Sequence, residues 1–155
     1  MRTLLRASFC SFSAVLLAAS FSPAFAQTSA AHRLAPADEY FGPLKMSVLG
    51  IGNALRSEAG RLASPAPPEP AAAYAHANLV ERSVQDWEAK YPADRWLPRT
   101  IFVLQRLYVQ IPHAESRRHA LEVATWLITR YPSSPEAAQL RNEVGYLTET
   151  LRTSE

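Results

Sequence analysis

The chain has 155 residues, 48% hydrophobic and 19% charged, with 16 basic against 14 acidic side chains and one cysteine. So small a charge imbalance gives no electrostatic reason to expect nucleic acid or anionic lipid as a partner. A single cysteine excludes an internal disulfide and cysteine-ligated zinc.

Residues 1–26 have the three-part layout of a cleavable secretory signal. Arg2 and Arg6 form a positive start, an apolar run spans Ala7 to Ala19, Ser22-Pro23 breaks it, and Ala24-Phe25-Ala26 offers small residues for cleavage after Ala26. The run is shorter than the ~20 apolar residues of a membrane-spanning helix. Cys10 lies near its beginning, not at the end where a lipid-modified cysteine would sit. Removing this segment takes away the cysteine and, with Arg2 and Arg6, the whole basic excess. The expectation is a periplasmic or secreted protein with no integral membrane segment after cleavage. The roughly 130 residues left suffice for one domain with its own core.

Residues 27–37 are small and polar and read as a flexible leader. Asp38 offers a cap, and Phe41, Leu44, Val48, Ile51, Leu55 and Leu62 keep helical spacing, so an N-terminal helix is expected over 38–62, with Pro43 in its first turn. Gly50 and Gly52 would permit a close helix crossing or mark a kink. Residues 63–70 hold four prolines and read as a stiff, extended linker.

From Ala71 the pattern is helix after helix. The second places Ala73, Ala77, Val80, Val84 and Trp87 on one face and stops at Tyr91-Pro92. The third, from about Leu97 to Ile111, is apolar around most of its circumference, as for a helix packed on two sides. The fourth begins near Ala114 and stops at Tyr131-Pro132. The fifth opens on Ser134-Pro135-Glu136 and runs to about Leu151, with Ala137, Leu140, Val144, Leu147 and Leu151 as its stripe. No useful length alternates with period two, so the fold class is all-α.

The two Tyr-Pro pairs lie 40 residues apart, each with a tryptophan about one turn earlier, Trp87 and Trp126. Tyr131-Pro132-Ser133-Ser134-Pro135-Glu136-Ala137-Ala138 resembles the junction between tetratricopeptide repeats of periplasmic and outer-membrane-associated proteins, with Ala120 where that family keeps a small residue. The resemblance covers about residues 71–151. The spacing exceeds the ~34 residues of that family, and Tyr108 is bulky where a small residue is usual.

The resemblance implies helical hairpins in a right-handed stack over 71–155, preceded by the separate N-terminal helix. It also implies a groove lined by the third and fifth helices that holds a peptide or protein segment of the envelope. Carried onto this chain, the groove candidates are Phe102, Gln105, Arg106, Val109, His113, Gln139 and Glu143. The alternative is a self-associating helical bundle, a homo-oligomer, in which residues 38–62 fill that groove.

Chemistry is sparse. His113, Glu115 and His119 gather near the start of the fourth helix, but no His-Glu-x-x-His occurs, and Arg117 and Arg118 would oppose a cation. No Gly-x-Ser-x-Gly elbow, phosphate loop or dinucleotide fingerprint is present. Neither an enzyme nor a cofactor or metal site is expected.

Overall fold

The computed structural model describes residues 34–143. The proposed signal, most of the leader and the fifth helix beyond residue 143 lie outside the described residues. Five helices make up the described part: α1 (Val48–Leu62), α2 (Pro70–Lys90), α3 (Leu97–Gln110), α4 (Ala114–Arg130) and α5, which begins at residue 135 and is described to 143. The all-α expectation holds there; the one β feature is an isolated bridge between Phe41 and Met46.

The first helix starts ten residues later than its spacing predicts. Its cap is Ser47, whose hydroxyl accepts the Gly50 N–H at 3.2 Å, and not Asp38. Residues 41–46 fold back on themselves instead of winding. The Phe41 and Met46 backbones exchange hydrogen bonds of 2.9 and 3.1 Å, and Lys45 N–H closes a turn on Gly42 C=O at 3.2 Å. Pro43 takes the second position of that turn, which its fixed φ suits. Gly42 adopts φ 63°, in the left-handed region, with Ser83 of α2 directly behind it. Phe41 is fully buried all the same, edge-on to Tyr91 and tilted against Trp87. Its apolar spacing therefore looked helical although its backbone is not.

α1 packs on α2 and α3. Ile51 and Leu55 bury completely, worth roughly 1.5–3 kcal/mol each. Beside them, buried Glu58 accepts from Arg61 at 3.0 Å and faces His76 Nδ1 at 3.2 Å, while its other oxygen has no partner. A half-satisfied carboxylate is a cost, so apolar burial holds α1 in place and Glu58 orients it. Gly50 contacts only its own capping turn and Gly52 faces open space, so neither serves a helix crossing.

The remaining helices follow their sequence patterns closely. Ala73, Ala77, Val80, Val84 and Trp87 of α2 are buried. α3 buries Leu97, Ile101, Phe102, Leu104, Leu107 and Tyr108, and touches both α1 and α4. α4 contributes Ala120, Val123, Ala124 and Leu127. Ser134 caps α5 by accepting the Ala137 N–H at 3.1 Å, and Ala137 and Leu140 complete the core.

Candidate interaction surfaces

The aromatic helix stops act as clasps between elements. Tyr131 donates its hydroxyl to Glu88 of α2 at 2.8 Å, and Trp126 donates its indole N–H to the same carboxylate at 3.1 Å. Burial first, then Glu88, pushes the Tyr131 phenol well above its ordinary pKa. Tyr91 donates to Glu39 of the N-terminal segment. Trp87 donates to buried Asp94 at 3.1 Å, which also accepts from the backbone N–H groups of Ala35 at 2.9 Å and Trp96 at 3.1 Å. One carboxylate thus ties the N-terminal segment to the α2–α3 turn.

A second polar cluster joins α2, α3 and α4. Glu81 accepts from Tyr108 at 2.7 Å and Gln85 at 2.8 Å, and meets His119 Nε2 at 2.7 Å; the other His119 nitrogen lies 2.8 Å from Glu122. The Tyr108 hydroxyl also lies 2.7 Å from Asn78. Burial, reinforced by Glu81, raises the Tyr108 pKa far above that of a free phenol. A phenol so held stays protonated, and the arrangement fastens α2, α3 and α4 together.

His113, Glu115 and His119 do not converge. His113 stacks on Tyr74 at 4.9 Å, while Glu115 pairs with Arg118, which holds its carboxyl below the usual range. Among the described residues no group of three His, Cys, Asp or Glu side chains is placed to hold a metal. No described helix is long and apolar enough to cross a membrane.

The structure brings four of the seven groove candidates together. Gln105, Arg106, Val109 and Glu143 line a groove of about 230 Å³ with Arg117, Ala120, Leu121, Ala124 and Leu140. Arg106 pairs with Glu143 across it, and Gln139 donates to Glu143 at 3.0 Å from outside the lining. Val109 and Leu121 stay 52% and 58% exposed on its walls. Gln105 is buried with its amide oxygen unpartnered. Phe102 lies in the core, its ring under the guanidinium groups of Arg106 at 5.0 Å and Arg99 at 5.9 Å. His113 sits apart, against Tyr74. No residue of 38–62 lines the groove.

The larger concavity, about 510 Å³, was not among the sequence candidates. It opens between the N-terminal segment, the start of α1 and the α2–α3 turn. Its walls carry Leu34, Leu49 (71% exposed) and Trp96 (52% exposed). Ala35, Ala37, Ser47, Gly52 and Thr100 are the small residues between them, and Arg56 lies at the edge. Asp94 is the acidic residue of the lining, and its oxygens are engaged inward with Ala35, Trp87 and Trp96. The cleft depends on the 34–47 turn, which brings Leu34 and Ala37 beside α1. An unbroken helix from Asp38 would not do so, hence its absence from the sequence reading. The exposed position of Trp96, just before a proline-started helix, was the available signal.

No protein-family model, curated protein or solved structure matches the chain.

Proposed function

We propose that this protein is an exported, non-enzymatic interaction module of the bacterial envelope that holds an apolar segment of a protein partner. The export reading rests on residues 1–26. The interaction reading rests on one observation above the others: the 510 Å³ cleft, with Leu34, Leu49 and Trp96 left exposed around a floor of small residues. Large apolar side chains grouped at the rim of a concavity mark a contact site more often than chance exposure does. Tryptophan in particular anchors interfaces. A tetratricopeptide-like relation for α2–α5 is part of the same proposal, supported by the Tyr-Pro stops and by the carboxylate that each tyrosine meets on a preceding element.

Photo-crosslinking in cells tests this reading. A photoreactive residue at Leu49 is expected to give a discrete adduct with a second protein in the envelope fraction, and the same residue at exposed Leu121 is expected to give none. Recovery of the processed protein in the cytosol, or equal, diffuse labelling at both positions, would overturn it. An adduct at twice the chain's own mass would favour the self-associating alternative.

A further inference from the structure

Along α1, the N-terminal cleft passes from an apolar to a cationic lining. Leu49, Gly52 and Arg56 line it at steps of three and four residues, so they share one face of the helix. Leu49 stands 71% exposed, and Gly52 leaves open space where a side chain would be. The exposed Arg56 follows about 10 Å further along the axis, the rise of seven helical residues. Its guanidinium donates to Asn53 Oδ1 and has no carboxylate partner among the described residues, so most of its five N–H groups are unspent. At the α2–α3 turn the Arg95 guanidinium lies over the Trp96 ring at 5.2 Å, also without a carboxylate among the described residues. Asp94, the acidic residue of the lining, is 2% exposed and accepts from the N–H groups of Ala35, Trp87 and Trp96. Asp38 is exposed beside Ala37 but is not part of the lining. The charge that the cleft presents to a partner is therefore positive.

We propose that the partner segment held in this cleft is acidic as well as apolar. One large apolar side chain seats against Leu34, Leu49 and Trp96, and an Asp or Glu side chain about 10 Å away pairs with Arg56. In an extended chain that separation is about three residues. A guanidinium matches a carboxylate through two parallel hydrogen bonds, and Gly52 lets the connecting backbone pass close to α1. One ion pair at an exposed rim adds little to affinity beside apolar burial, so it acts on which segment is chosen. This inference rests on the cleft being the contact site and adds the charge that its partner carries.

The test is selection of random peptides, displayed between flanking linkers, on the full chain. Enriched peptides are expected to pair a large apolar residue with an Asp or Glu about three positions away. Arg56→Gln should keep the apolar enrichment and lose the acidic one, and Arg56→Glu should bring Lys or Arg to that position. In a selected peptide, exchanging the acid for its amide is expected to weaken binding to the parent about threefold and to leave binding to Arg56→Gln unchanged. Both substitutions fall on an exposed side chain, so circular dichroism should show unchanged helicity. Apolar enrichment without acids, or acids that persist with Arg56→Gln, would overturn the inference and leave the cleft reading standing. No enrichment, or enrichment that survives Trp96→Ala, would sink both. A parallel library ending in a free carboxylate forms the second arm: if it alone is enriched, the anion is a chain end and the side-chain assignment falls.

Discussion

Gly42 and Gly52 make opposite demands, and that contrast can be tested at single positions. A Cβ on Gly42 would lie 2.6 Å from the Ser83 Cα, at a φ of 63° that L-residues avoid. Gly42→Ala is expected to cost about 2–4 kcal/mol, combining left-handed strain with overpacking against a helix backbone. Urea unfolding measures this. A Cβ on Gly52 meets nothing within 4 Å. Gly52→Ala should stabilise α1 by roughly 0.5–1 kcal/mol. It also narrows the cleft, so yield of the Leu49 crosslink should fall while stability rises. A loss of stability with Gly52→Ala would mean that the start of α1 is packed differently.

The polar residues divide in a similar way. Glu81 is buried, and Tyr108 is one of its donors. Removing that hydroxyl with Tyr108→Phe leaves Glu81 and Asn78 short of a hydrogen bond, at an expected cost of about 1–3 kcal/mol. Surface pairs such as Arg118–Glu122 should contribute little, because solvent screens them.

Among the elements, the stops of α2 and α4 were legible because Tyr91-Pro92 and Tyr131-Pro132 punctuate them, and Pro98 marks the first turn of α3. Pro70, which read as the end of the linker, is instead the first residue of α2. The N-terminal element was not legible. Phe41 keeps helical spacing to Val48 and Ile51, yet the chain reaches that burial through a turn at Gly42. The cap assignment follows the same division. Ser47→Ala should cost about 1 kcal/mol by freeing the Gly50 N–H. Asp38→Ala should stay within about 0.5 kcal/mol, as for other surface changes. Equal effects at the two positions would restore the longer helix. The clasps were illegible for another reason: Glu81 meets Tyr108 and His119, and Glu88 meets Tyr131, across 27 to 43 residues. No local pattern reports pairs that distant. Of the groove candidates, Gln105, Arg106 and Val109 share one face of α3 and line one groove. Phe102 lies in the core because that helix is packed on two sides, and His113 stands apart because α3 ends before it.

On the scale of the whole molecule, the buried Tyr108 phenol and the half-buried Tyr131 phenol set an alkaline limit on the fold. In the unfolded chain Tyr108 and Tyr131 would ionise near pH 10; in the fold, burial and a neighbouring carboxylate raise both. A raised folded pKa means that stability is fully present below the unfolded value and falls as pH climbs above it. Above about pH 10 the unfolding free energy should therefore drop steadily, and phenolate absorbance from these two tyrosines should appear only with loss of helicity. Tyr131→Phe should flatten that slope while lowering stability at neutral pH. If phenolate appears before helicity is lost, the clasps are open to solvent.

The same scale governs how a partner would bind. Without residues 1–26 the chain carries no net charge, and the cleft walls are Leu34, Leu49 and Trp96, with Arg56 at the edge. Attraction over distance is then weak, and affinity has to come from removing apolar surface from water. Two consequences separate this from ionic docking. Raising salt from about 0.05 to 0.5 M should change the affinity of a captured partner by less than about threefold, because exposed charges are screened over that range while apolar burial is not. Calorimetry should show a negative heat-capacity change on binding. Trp96→Ala should weaken binding by at least about tenfold, as expected for an interface tryptophan. It should leave the unfolding free energy nearly unchanged, since the side chain is half exposed, with the Arg95 guanidinium over its ring at 5.2 Å. A steep salt dependence with an unchanged Trp96→Ala affinity would instead move the contact to the charged faces of α4, where Arg118 pairs with Glu115 and Glu122.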